Sequence, residues 1–224
     1  MKICAVIPAI NEAKTISDVI KGIKALNLDI DVIVIDDGSE DETSLLAERE
    51  QAYVIKHAKR IGKGACLKDG FDYALTRGYD IILALDADGQ HDPSDIPRFL
   101  NTAREEGLSV VIGNRMDDPA DMPGIRVFTN RLMSSIISDI CGQNIPDTQC
   151  GFRLFTKEAL GSINIKARKF EIDSELLIKL AKKGHRIESL PIRSIYSKEI
   201  SKIRPTRDTF RFIGFLIKIL FNRR

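Results

Sequence analysis

Five short runs of Val, Ile, Leu and Ala, each followed by a segment with helical periodicity, constrain this chain more than any other feature. The runs are Ile3–Ile7, Val32–Ile35, Tyr53–His57, Ile81–Leu85 and Val110–Gly113. Near-continuous apolar runs of strand length belong to strands covered on both faces, hence to a largely parallel sheet with helices on each side. Between the first two, Ile16, Val19, Ile20, Ile23 and Leu26 recur at a spacing that gives a helix one apolar face. Further helices are predicted over Lys63–Thr76, Ser94–Glu105, Arg126–Cys141, Glu175–Lys183 and Thr209–Phe221, and Asp41 or Ser39 is placed to cap the helix after the second strand. Asp147–Phe155 reads as a polar cluster leading into a short strand, and Arg186–Tyr196 as an extended segment. At 224 residues with no internal repeat, the chain is read as one α/β domain, residues 1–196, with an extension over 197–224.

Composition bounds the function classes. With 43% hydrophobic and 29% charged residues the chain is neither disordered nor fibrous. Its longest apolar stretch, Ile213–Phe221, is too short to span a bilayer and is interrupted by Lys218. The strand begins almost at Met1, with no leader pattern, so the cytoplasm is the expected compartment. Cys4, Cys66, Cys141 and Cys150 form no Cys-x-x-Cys pair, which argues for free thiols. The formal net charge of +2 is uneven: residues 198–224 carry +6 and the remainder −4. A basic end is either a solvated surface or a contact for an anionic partner, and composition does not choose.

In an open parallel sheet, ligands bind at the carboxyl ends of the strands, and the chemically rich residues fall there. Asp86-Ala87-Asp88 leaves the fourth run with two carboxylates one residue apart, a pattern suited to a hard divalent cation, although such pairs also occur in ordinary turns. Gln90 can add a neutral oxygen, and His91 is read as a bystander. Asp36-Asp37-Gly38-Ser39 leaves the second run as either a hydrogen-bonding edge for a nucleoside or a turn with a helix cap. Pro8 to Glu12 follow the first run. Gly62-Lys63-Gly64 lets backbone and ammonium approach a phosphate, without the spacing of a P-loop, and no Gly-x-Gly-x-x-Gly follows the first strand.

In this order the motifs resemble family 2 glycosyltransferases of the GT-A fold, and among them the polyprenyl (dolichyl) phosphate mannosyl- and glucosyltransferases. The resemblance runs through Val6–Glu12, Val34–Ser39, Gly62–Gly64, Leu85–Pro93, Gly113–Arg115, Asn130–Ser135, Asp147–Phe155, Phe170–Glu175 and Ser201–Phe212. It implies a Rossmann-like nucleotide-sugar transferase domain and an inverting transfer of a hexose, mannose from GDP-mannose first, onto polyprenyl phosphate. The alternatives are a polyprenyl-phosphate glucosyltransferase using UDP-glucose, a transferase with a polysaccharide acceptor, and a non-catalytic nucleotide-sugar-binding subunit.

The resemblance also implies residue roles. Pro8, Glu12, Ile35 and Asp37 would line the nucleoside pocket, with Lys63, Ala87 and Lys202 also on the donor. Asp86, Asp88 and Gln90 would hold Mg²⁺ or Mn²⁺. Arg115, Arg131, Ser135 and Arg204 would grip the acceptor phosphate, making Asp88, Arg115 and Arg131 the catalytic set. Asp147, Gln149, Gly151, Phe152 and Arg153 would shape the sugar pocket, and Glu171 and Glu175 would anchor the basic loop or cap a helix. Ile10 stands where many relatives have tyrosine, and the membrane spans that many relatives carry are absent from this sequence. Contact with the membrane is therefore expected to be peripheral, on the cytoplasmic face. It would run through the apolar helix ending at Phe221, with Val127–Ile140 as a second contact, or through a membrane-anchoring partner protein. Nucleic acid is not an expected partner, because the basic tail lacks a reader motif.

Overall fold

The computed structural model describes residues 1–119, 122–169 and 171–195. The expectations for the extension, including Lys202, Arg204 and the helix over 209–221, lie outside those residues. The described chain forms one seven-stranded sheet: β1 (Ile3–Ala9), β2 (Ile30–Asp36), β3 (Tyr53–Lys56), β4 (Ile81–Ala84), β5 (Val110–Asn114), β6 (Arg153–Thr156) and β7 (Ile187–Pro191). Its order is β3-β2-β1-β4-β6-β5-β7. All neighbours are parallel except at β6, which runs antiparallel to both β4 and β5.

The period of two along each strand divides the core. Cys4, Val6, Ile33 and Ile35 face one side, where α3 (Lys63–Thr76) covers them with Leu67 and Phe71, and Leu176 and Leu177 of α7 (Ile172–Lys182) belong to the same core. Ala5, Ile7, Val32 and Val34 face the other, under Ile16, Val19, Ile20 and Ile23 of α1 (Ile16–Lys24) and Ile96 and Phe99 of α4 (Ile96–Glu105). Each fully buried Ile or Phe contributes about 1.5–3 kcal/mol against its exposed state, so the continuous apolar runs become strands because both of their faces are claimed. The remaining helices are α2 (Thr43–Arg49), α5 (Gly124–Cys141) and α6 (Lys157–Gly161). A short 3₁₀ turn, Pro93–Asp95, occupies the start of the helix expected from Ser94. Neither Asp41 nor Ser39 is the N-cap of α2, which is Glu42; Asp41 Oδ1, one residue earlier, accepts the Thr43 N–H at 3.1 Å, while Ser39 Oγ accepts from the Asn11 N–H at 2.9 Å.

The register sets the site. Pro8 pairs with Ile35 and Ala9 with Asp36, so β1 and β2 end level, and the Asp37 N–H still donates to the Ala9 carbonyl at 2.8 Å. On the other side of β1, Val6 pairs with Ala84, and Leu85 N–H donates to the Val6 carbonyl at 3.2 Å. Asp37 and Asp86 therefore leave one edge of the sheet two strands apart, on the order of 10 Å.

Helix α3 crosses β1 and β2 at Gly70. A Cβ built there would lie 2.3 Å from Val6 Cγ1 and 3.2 Å from Ile35 Cγ1. Val6 is a stiff, fully buried β-branched side chain, so the helix cannot carry a side chain at this crossing. Gly70→Ala is expected to destabilise the fold by about 1–3 kcal/mol in urea denaturation, although alanine is the better helix former.

Candidate active site

The residues that leave β4 form the centre of the site. Asp86 Oδ1 accepts from Lys63 Nζ at 2.6 Å, and Lys63 also lies 3.9 Å from Asp173 of α7. Gly151 makes this approach possible: a Cβ there would sit 2.3 Å from Asp86 Oδ2. Beneath the pair, His91 is buried and its Nδ1 accepts from the Asp86 N–H at 3.4 Å, which requires that nitrogen to be unprotonated. Burial, partly offset by the Asp86 charge, pushes the His91 imidazole down to about 4. His91 is thus a neutral support for the metal-type motif rather than a bystander.

The two carboxylates are held at different potentials. Burial opposes ionisation of Asp86, but the Lys63 ammonium outweighs it and holds the carboxyl down to about 2. Burial and the Asp86 charge push Asp88 up to about 6. Lys63 stays charged: burial works against its ammonium, yet Asp173 and Asp86 hold it above the ordinary lysine value. Asp88 Oδ1 accepts from the Gln90 N–H at 3.0 Å. The Ala87 carbonyl accepts from Thr15 Oγ1 at 2.7 Å, and the same hydroxyl lies 3.3 Å from Glu12 Oε2. That hydroxyl brings Glu12, Ala87 and Asp88 to one place, a linkage no motif in the sequence announced. The donor set fits a hard divalent cation: oxygen ligands only, with a mutual repulsion at Asp88 that a cation would relieve.

On the β2 side the residues expected around the nucleoside have partners within the protein. The Asp37 carboxylate accepts from the backbone N–H of Ile61 at 2.7 Å and of Gly62 at 2.9 Å, so it organises the loop before α3. The Ile35 side chain is fully buried in the core beside Gly70. Pro8 is half-buried at the end of β1. The glycines flanking Lys63 answer to packing. A Cβ at Gly62, whose φ is +113°, would meet the Arg168 carbonyl oxygen at 2.7 Å, and one at Gly64 the Lys169 carbonyl oxygen at 2.5 Å. They admit the 168–169 backbone, and Lys63 reaches over to Asp86.

The arginines divide in two. Arg115 is buried with its Nε 2.7 Å from Asp147 Oδ2 and its Nη2 2.9 Å from Oδ1, a bidentate pair 32 residues apart in sequence. Arg153 is also buried, donating to the carbonyls of Cys150, Thr148 and Asp173 at 2.8–2.9 Å and lying 3.2 Å from the Asp173 carboxylate. Asp173, which sequence reasoning passed over between Glu171 and Glu175, thereby joins Arg153 to Lys63. Glu175 holds the 166–167 backbone, accepting from the Ala167 N–H at 2.6 Å. Arg131 and Ser135 of α5 are exposed and line a cavity of about 720 Å³ together with Ser134, Ser138, Gln143 and Asn144. Arg115 is turned to Asp147 beside that cavity, whose wall begins at Met116.

A mostly parallel sheet of this order with a carboxylate pair at the exit of β4 is the architecture of the GT-A fold. The chain belongs to glycosyl transferase family 2, whose model matches residues 4–163. It is 32% identical to the UDP-N-acetylglucosamine–dolichyl-phosphate N-acetylglucosaminyltransferase of Methanococcus voltae, over 95% of this chain and 91% of that protein. It is 29% identical to the undecaprenyl-phosphate mannosyltransferase of Micrococcus luteus, over 86% and 83% respectively. Among solved structures it resembles glucosyl-3-phosphoglycerate synthase from Mycobacterium tuberculosis in complex with Mn²⁺, UDP and phosphoglyceric acid. The TM-score is 0.71 at 22% identity, over 89% of this chain and 72% of that one, a likeness of fold.

The Arg115–Asp147 pair supplies a stability test. Burial opposes ionisation of Asp147, but the hydrogen bonds and charge of Arg115 hold its carboxyl below the ordinary range. Asp147→Asn removes the compensating charge and is expected to cost about 3–5 kcal/mol in urea denaturation at pH 7. Because the folded value is depressed, the wild-type advantage is complete above the unfolded value of about 4 and is lost as pH falls through the folded one. The difference between the two proteins should therefore narrow below about pH 4.

Proposed function

We propose that this enzyme transfers a hexose from a nucleoside diphosphate sugar onto a polyprenyl phosphate at a membrane surface, with Mg²⁺ or Mn²⁺ held by Asp86, Asp88 and Gln90. The observation that carries the reading is the oxygen-only carboxylate pair at the β4 exit, whose Asp86 feels the charge of Arg115, the residue before Met116 in the wall of the cavity that contains Arg131 and Ser135. A divalent cation in that set would neutralise the leaving diphosphate. Lys63, already at the carboxylates, is within the same charge cluster and supplies a second positive group to the donor phosphates.

The acceptor needs little chemical help. A phosphate monoester has a second pKa of about 6 and is largely a dianion at neutral pH, so its oxygen attacks without a strong general base. The new bond joins that oxygen to the anomeric carbon, the bond from the anomeric carbon to the diphosphate breaks, and the electron pair leaves with the nucleoside diphosphate. Attack from the side opposite the leaving group inverts the configuration. What this chain contributes is placement: Arg131 and Ser135 orient the attacking phosphate, with Arg115 and its Asp147 partner fixing the adjoining wall. Lys202 and Arg204 complete the donor and acceptor sets in this reading.

GDP-mannose is the first donor, in keeping with the mannosyltransferase named in Micrococcus luteus. The N-acetylglucosaminyltransferase relative in Methanococcus voltae favours a second reading, a UDP-linked sugar. A panel of GDP-mannose, UDP-glucose and UDP-N-acetylglucosamine with polyprenyl phosphate and Mg²⁺ or Mn²⁺ should yield a lipid-linked sugar from one donor. Asp88→Ala should reduce that rate by about a hundredfold or more with the thermal transition preserved; undiminished transfer would remove Asp88 from the metal site.

A further inference from the structure

The exits of β2 and β3 and the first turn of α3 bring together three side chains that no sequence motif links. Lys56 pairs with Asp36 at the end of the two strands, and the His57 N–H donates to the Asp36 carbonyl at 2.9 Å, so Asp37 and His57 leave the sheet side by side. Cys66 is fully buried on α3, and its Sγ lies 3.8 Å from His57 Nδ1. The same ring nitrogen lies 3.4 Å from Asp37 Oδ1. Among the described residues this is the only group of three or more His, Cys, Asp or Glu side chains whose ligand atoms all lie within 4.8 Å of one another.

The imidazole stands between two carboxylates, because its Nε2 is 3.1 Å from Asp69 Oδ2. A neutral imidazole has one N–H, so it donates to one carboxylate and turns a lone pair toward the other. Asp69 is the nearer, which leaves the Nδ1 lone pair facing an Asp37 oxygen. Two lone pairs at that distance call for a positive centre between them. Asp37 has acceptor capacity to spare, since the Ile61 and Gly62 N–H groups take one lone pair on each of its oxygens. A carboxylate on the far nitrogen is also the common outer partner of a metal-bound histidine, fixing its tautomer and the plane of its ring. The distances agree. Zn–N and Zn–O bonds of about 2.0 Å and a Zn–S bond of about 2.3 Å set tetrahedral N···O and N···S edges of about 3.3 and 3.5 Å, against 3.4 and 3.8 Å here.

We infer that Asp37, His57 and Cys66 form a second metal site, one for a borderline-soft divalent cation, zinc first, with water as the fourth ligand. Sulfur and imidazole set it apart from the oxygen-only pair at Asp86 and Asp88, which suits Mg²⁺ or Mn²⁺. Burial and the Asp37 charge push the Cys66 thiol up in the metal-free protein. A coordinating cation reverses that balance: the thiol loses its proton to solvent, and thiolate and carboxylate together match the two positive charges of the metal. The cation joins the β2 exit, the β3 exit and α3. It thereby staples the loop that Asp37 already holds at Ile61 and Gly62, directly before Lys63. Its place in the fold is structural, so it stands whichever donor and acceptor the enzyme uses.

Cobalt reports the ligands directly. The full-length protein, stripped with a chelator and kept reduced in saturating Mg²⁺, is titrated with Co²⁺. Mg²⁺ fills the oxygen ligands but competes poorly for sulfur and nitrogen. The expected result is one equivalent of cobalt with a thiolate-to-metal charge-transfer band and the intense visible bands of a tetrahedral ion, all bleached by Zn²⁺. Zinc should also raise the thermal transition, since it binds the folded form. Cys66→Ser should remove the charge-transfer band and weaken cobalt binding about a hundredfold or more, whereas Cys141→Ser, on α5, should leave both unchanged. Asp69→Asn, at a side chain 45% exposed, leaves the three ligands in place and should weaken binding about tenfold; it serves where the buried Cys66→Ser does not fold. The proposal is overturned if the wild-type spectrum lacks the charge-transfer band, which would leave an imidazolium bridging Asp37 and Asp69, or cobalt on oxygen ligands alone. It is equally overturned if the band survives Cys66→Ser or if Asp69→Asn binds as tightly as the wild type.

Discussion

Four charges behind the β4 exit, Asp173 and Arg153 buried and Asp86 and Lys63 half-buried, hold this edge of the sheet in place. Asp86, Lys63, Asp173 and Arg153 alternate in sign, and each comes from a different element: the β4 exit, the start of α3, α7 and β6. A charge removed from water without a partner is too costly to keep, so each of these elements is fixed by the others. The small residues around the chain of charges serve the same end. Gly151 lets the Asp86 carboxylate approach the backbone, and Gly62 and Gly64 let the 168–169 segment lie across the start of α3. These elements meet at one edge of the sheet because their opposite charges require partners.

The same network accounts for the unequal carboxylates. Asp86 has a lysine at hydrogen-bond distance and stays ionised; Asp88, one residue on, faces that ionised group and is pushed toward its neutral form. Two residues of identical type thereby differ by what each touches, as an electrostatically prepared site requires. Arg115 and Arg131 show a parallel split. One pairs with Asp147 inside the protein and the other faces the cavity, although the sequence reading gave both the same role on the acceptor phosphate.

Much of this was legible beforehand, for identifiable reasons. The helix over Lys63–Thr76 and the strands around Val6, Val34 and Leu83 follow from periodicity, which is local. The carboxylates at strand ends follow from the rule that places ligands there. Pairings across long separations were not legible: Arg115 with Asp147, Lys63 with Asp173, and His91 beneath Asp86 depend on which strands become neighbours. The direction of β6 was equally hidden, since alternation of side chains is the same for a strand read either way. Ile35 and the paired glycines show that a motif position also answers to packing that the sequence does not reveal.

The reversed strand has a consequence in the order of assembly. Because β6 runs against β4 and β5, its beginning lies at the edge where its neighbours end, and it delivers Asp147 to Gly151 directly to the site. Arg153 pairs with Ala84 and with Ile112, so β6 must be inserted between two strands synthesised earlier. Closing such distant contacts is slow relative to local structure. The nucleotide half, β1 to β4, can gather from near neighbours, whereas the floor beneath Asp86 and the wall beside Arg115 arrive with this late strand. Insertion of β6 thus joins β4 to β5 and brings Gly151 beneath Asp86 in one event, and a chain halted before β6 would possess the carboxylate pair without that floor.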